Sequence, residues 1–147
     1  MKLIIGILVI LAPLMSHAVE CPDLSGKYKS ENSLGVTVML MVTQEGCERL
    51  TMDFDYGHRM MVTRTLIFDG VQRLVFSSSE SRTYETDLIT SEGIIYESLD
   101  EYTLSKAVYF SRGTIVLDDN KNLNESVDVY NDKNQLLKTN NTTFSRQ

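Results

Sequence analysis

The chain has 147 residues, 42% of them hydrophobic, with 14 Lys and Arg against 20 Asp and Glu for a formal charge of −6. That length suits one domain, and the acidic balance argues against nucleic acid as a partner, because phosphate binding needs clustered Lys and Arg. The charges are scattered rather than blocked, which reads as a solvated surface.

The first 21 residues carry the most information. Lys2 precedes an apolar run over residues 3–14, and Ser16-His17-Ala18 follows. This is the layout of a secretory signal peptide, with cleavage expected after Ala18. The run is too short to span a bilayer comfortably, so no transmembrane segment is expected in the mature chain. Removing 18 residues from 147 leaves 129, a single domain over 19–147, and losing Lys2 takes the charge to −7. The protein is expected to be exported, either periplasmic or secreted. In such a compartment the only two cysteines, Cys21 and Cys47, are expected to form one disulfide. Glu20 occupies the place where a lipid-anchor motif wants a small residue, which disfavours acylation of Cys21.

From there the chain reads as a succession of short strands. Residues 26–30 open the first. Residues 36–44 are nearly continuous in apolar side chains, as expected for a strand covered on both faces. Residues 50–56 alternate without a fault, placing Leu50, Met52, Phe54 and Tyr56 on one face and Thr51, Asp53 and Asp55 on the other. Gly57-His58 turns the chain into residues 60–68. Asp69-Gly70 reads as a hairpin turn into residues 71–77. Strands follow over 83–89, 94–99 and 102–110, although 99–107 could hold a helical turn. Arg112-Gly113 is expected to lead into 114–117. Residues 118–122 form a polar loop, and 123–130 with 135–144 make a final hairpin across 131–134. About nine strands joined by short connections imply an all-β antiparallel up-and-down meander, closed on itself or folded into two sheets to hide its edges. Pro13 and Pro22, the only prolines, avoid every expected strand.

Two short elements resemble lipocalins. Asp23-Leu24-Ser25-Gly26-Lys27-Tyr28 is similar to the G-x-W opening of that family, with Tyr28 in the place of tryptophan. Arg146, after Thr143-Phe144-Ser145, resembles the arginine that packs over that aromatic ring at the barrel floor. The Cys-Pro-x-Leu-Ser-Gly-x-Tyr start is also similar to small secreted bacterial proteins with lipocalin-like barrels. The resemblance implies a β-barrel of eight to ten strands with a cup for an apolar ligand.

No catalytic signature stands out, and the protein is expected not to be an enzyme. His17 leaves with the signal, so His58 is the one histidine available to a nucleophile relay, and it falls in a turn. Asp53 and Asp55 would lie about 7 Å apart on one strand face, a spacing some glycosidases use, but a solvated face gives the same pattern. Asp118-x-Asn120-x-Asn122 has the opening spacing of a calcium loop, yet Leu123 and Val129 stand where Gly and Glu are required. No cofactor or metal is expected.

Methionine is the least ordinary feature. Met39, Met41, Met52, Met60 and Met61 lie on three consecutive strands. They could be core filling, an adaptable apolar cavity, or, with His58, a thioether site for Cu(I). The leading expectation is non-enzymatic binding of a small apolar ligand or lipid, lined by Met39, Met41, Met52, Phe54, Tyr56 and Met61. The alternative is an envelope or secreted protein-interaction module with a filled core, binding a protein partner through an exposed edge or loops.

Overall fold

A computed structural model describes residues 20–31, 35–57 and 60–147. The expected signal peptide over 1–18 and His58 lie outside the described residues. Ten strands follow one another: β1 (Gly26–Glu31), β2 (Thr37–Glu45), β3 (Arg49–Asp55), β4 (Met61–Ile67), β5 (Arg73–Ser77), β6 (Ser81–Ile89), β7 (Ile94–Tyr102), β8 (Val108–Leu117), β9 (Leu123–Asn131) and β10 (Leu136–Arg146). All pairings are antiparallel, and the described residues contain no helix, hence none that could cross a membrane.

The strands form one sheet in the order β4-β3-β2-β1-β10-β9-β8-β7-β6-β5, curled into a half-barrel. Every neighbouring pair is a simple hairpin except β1 with β10. That junction rests on two residue pairs, Tyr28 with Arg146 and Lys29 with Ser145. The meander expectation therefore holds, but the sheet does not close by a strand ladder. β4 and β5, consecutive in the chain, are its two edges.

This corrects the hairpin reading of Asp69-Gly70. The turn forms, with Gly70 at φ +69° and Asp69 accepting from the Val71 N–H. The strands on either side do not pair, because the chain passes there from one sheet edge to the other. One side-chain and one backbone hydrogen bond accepted by Asp87 take the place of a ladder across this seam. The Ile67 N–H donates to Asp87 Oδ2 at 3.1 Å, and the Gly70 N–H donates to the Asp87 carbonyl. An edge strand thus finds partners for backbone donors that would otherwise face water or another chain.

One end of the half-barrel is filled. Leu24, Leu50, Leu66, Ile94, Ile115 and Leu123 are buried there, near the starts or ends of successive strands, and Tyr28, Leu40 and Phe144 continue the core inward. The segment before β1 is tied to this end. Leu24 N–H donates to Gln44 Oε1 at 2.9 Å, Tyr28 Oη donates to the Leu24 carbonyl at 2.8 Å, and Cys21 is bonded to Cys47. The Arg146 guanidinium stands 5.9 Å from the centre of the Tyr28 ring and donates to the Ser25 carbonyl.

Two further expectations are corrected. β2 is covered on one face only: Val38, Leu40 and Val42 are buried while Met39, Met41 and Thr43 face solvent. Among the described residues no second layer packs on the convex side, so the apolar run is buried once. Arg112-Gly113 is not a turn but the middle of β8. The chain reverses earlier, in a turn over 103–105 where the Tyr102 N–H donates to the Ala107 carbonyl, so the strand expected over 102–110 begins only at Val108. Glycine is tolerated within β8 for a packing reason that shapes the site.

Candidate functional site

Alternation brings charged residues to the concave face midway between the ends. On β4 the inward set contains Arg64 and Leu66, on β6 Glu85 and Asp87, on β9 Leu123 and Glu125. Arg64 Nη2 lies 3.0 Å from Glu85 Oε2, across the open seam, and Nη1 lies 3.4 Å from Glu125 Oε1. The same Glu125 oxygen accepts a 2.6 Å hydrogen bond from Tyr96 Oη. The guanidinium stacks on the Tyr96 ring, 4.1 Å from its centre. This is a connected layer in which a half-buried cation is met by two carboxylates and an aromatic face.

Gly113 makes the layer possible. It pairs with Tyr96 across β7 and β8, and a Cβ at that position would stand 2.0 Å from Tyr96 Cζ. The ring therefore lies over β8 and reaches Glu125 on β9.

The local field follows from these contacts. Burial works against the Arg64 charge, but Glu85 and Tyr96 beside it raise its pKa above the ordinary value. Burial, then Glu125, pushes the Tyr96 phenol well above the usual tyrosine range, which keeps it a neutral donor. Asp87 is pushed up to about 6, first by burial and then by the neighbouring Glu85, against the pull of the Ile67 N–H. Its Oδ1 is buried with no hydrogen-bond partner among the described residues.

Beyond this layer, towards the opposite end, β1 and β10 diverge and leave a hollow of about 910 Å³. Val38, Phe54, Tyr56 and Phe144 supply apolar wall, residues 139–143 of β10 and Ser30 supply polar wall, and Arg64, Glu125 and Glu31 carry charge into it. Phe54 stacks with Tyr56 at 6.3 Å and meets Phe144 edge-on at 6.1 Å.

Of the six residues expected to line one cavity, Phe54 and Tyr56 line this cup. Met52 is buried in the core beside its register partner Arg64 and does not line the cup. Met39, Met41 and Met61 are 39%, 40% and 68% exposed on the convex face, around a shallow depression of about 400 Å³ shared with Lys27, Asp53 and Asp55. The six do not share one surface. Strand parity explains this: Met39 pairs with Asp55 and Asp55 with Met61, a row on the outer side, while Met52 and Phe54 pair with Val42 and Leu40 on the inner side. Asp53 accepts from Thr63 Oγ1 and Asp55 from the Gly57 N–H, as a solvated face would have them.

Asp118 organises a turn, accepting from the N–H groups of Asn120 and Asn122. Among the described residues no group of three or more His, Cys, Asp or Glu is placed to hold a metal ion. Arg64, Glu85, Tyr96 and Glu125 escaped the reading of the sequence because they are dispersed over four strands. The available signal was a charge at an inward parity position, Arg64 two residues before Leu66 and Glu125 two after Leu123.

No protein-family model matches the chain, and no curated protein matches it. The functional reading therefore rests on geometry and chemistry.

Proposed function

We propose that this is an exported, non-enzymatic binding protein that takes a small, largely apolar ligand or lipid into the open end of a lipocalin-like half-barrel. The observation that carries the reading is the hollow of about 910 Å³ beside Phe54, Tyr56 and Phe144. It is of the size that small-molecule sites use, and it joins apolar wall to a few polar groups. Export is supported by the signal-like leader and by the Cys21–Cys47 disulfide, which persists best in an oxidising compartment. Kinship with lipocalin barrels is supported by the stacking of Arg146 on Tyr28 beside the first strand. With both cysteines bonded, the chain keeps no thiol nucleophile.

Native mass spectrometry of the exported protein, purified without detergent and followed by organic extraction, tests this. A stoichiometric small-molecule or acyl adduct is expected. A bare mass, together with failure of lipid extracts from the host to displace an apolar dye from the cup, overturns the reading. A second reading, a protein-interaction module, is favoured by the edge strand β5, where Leu74, Val75 and Phe76 are at least half exposed.

A further inference from the structure

Resting on the carrier reading, we propose that the cup selects amphiphiles with a cationic, hydrogen-donating head, such as a primary ammonium, over those with a carboxylate. Among the described residues that line the cup, Arg64 is the one cation, and it is already engaged. Its two terminal nitrogens each meet a carboxylate, Glu85 and Glu125, and its face is covered by Tyr96. An incoming carboxylate finds no uncommitted positive charge there.

A donor finds several acceptors. Among the described residues both contacts of Glu125 fall on Oε1, from Arg64 and from Tyr96, which leaves Oε2 to a ligand. Glu31 adds a second carboxylate at the rim, and β10 contributes Asn140 and Thr142. Among these described residues one positive charge therefore stands against two negative ones, Glu31 and Glu125, in a recess where partial exclusion of water strengthens each interaction. Phe54 and Tyr56 flank the same space with apolar and π surface, suited to the methylene chain and to a cation near a ring.

The test uses matched twelve-carbon chains, dodecylammonium, dodecanol and dodecanoate, each below its micelle concentration, titrated calorimetrically into the mature protein at about pH 7. The ammonium is expected to bind about tenfold more tightly than dodecanoate, with the alcohol between them. Glu31→Gln, at an exposed rim position, and Glu125→Gln should each shrink that ratio severalfold. Asp53→Asn, on the convex face, should leave it unchanged, which separates the cup from the overall acidity of the chain. Dodecanoate binding as tightly as dodecylammonium, or alcohol equal to ammonium, leaves the carrier reading standing and overturns the charge preference. A ratio indifferent to Glu31→Gln and Glu125→Gln also overturns it. Failure of all three chains to bind removes both.

Discussion

The Tyr96 ring occupies the space that a Cβ on Gly113 would need, at 2.0 Å from Tyr96 Cζ. Gly113→Ala must displace the ring and with it the donor to Glu125 and the platform under Arg64. A loss of about 2–3 kcal/mol is expected from urea denaturation. In a Tyr96→Ala background the same glycine change should cost a small fraction of that. Strict additivity of the two changes would show that the ring does not depend on the glycine.

Arg64 bridges the seam between β4 and β6 and separates two inward carboxylates. Arg64→Met removes the charge while keeping most of the volume, leaving Glu85 and Glu125 without their counter-ion. The expected cost is about 2–4 kcal/mol, reduced because Arg64 is partly exposed. Adding Glu85→Gln and Glu125→Gln should recover most of it. A neutral single variant would mean that the layer contributes nothing to holding the seam.

Asp87 gives stability a pH dependence of unusual sign for a carboxylate. Its folded pKa is raised to about 6 from 3.8. Between those values the folded state holds the proton and the unfolded state has released it. Stability from this group is therefore present below about pH 4 and is lost as pH rises through 6. Screening by nearby solvent leaves a contribution on the order of 1–2 kcal/mol. Asp87→Asn should remove the effect, so the Tm advantage of the variant over the parent should grow from pH 4 to pH 6.5 and then level off. An advantage that does not change with pH contradicts this assignment.

The Cys21–Cys47 bond closes a loop with a sequence separation of 26 around β1 and β2. Chain-entropy arguments give about 3–4 kcal/mol for its loss. Replacing both cysteines with serine should lower the guanidinium midpoint accordingly, with little change in the far-ultraviolet spectrum. Leu24 remains held by Gln44 and Tyr28 in that variant. An unchanged midpoint would mean that these contacts alone secure the segment.

Local pattern carried much of the fold. Perfect alternation over 50–56 predicted β3 and the inward direction of Met52 and Phe54. The polar stretch at 131–134 marked the last hairpin, where Asn134 takes a positive φ. The failures came where a distant residue decides. Asp69-Gly70 is a good turn, but whether its flanks pair depends on the curl of the whole sheet. Gly113 looked like a break because its partner, Tyr96, is remote in sequence. Met39 and Met41 were read as cavity lining from their apolar character, while their parity, opposite to Leu40 and Val42, puts them outside.

The strand order carries a consequence for how the chain folds. β1–β4 and β5–β10 are each built from nearest-neighbour hairpins, whereas the one ladder between them joins positions 28 and 146. Contacts of short sequence separation cost little chain entropy and form early, and closing so long a loop costs more. The two meanders are therefore expected to assemble first and to dock last through β1 and β10. In stopped-flow experiments, Arg146→Ala should speed unfolding while barely slowing refolding. Because the backbone over 68–72 spans the break in the sheet, the two halves stay tethered at the edge opposite the junction that forms last.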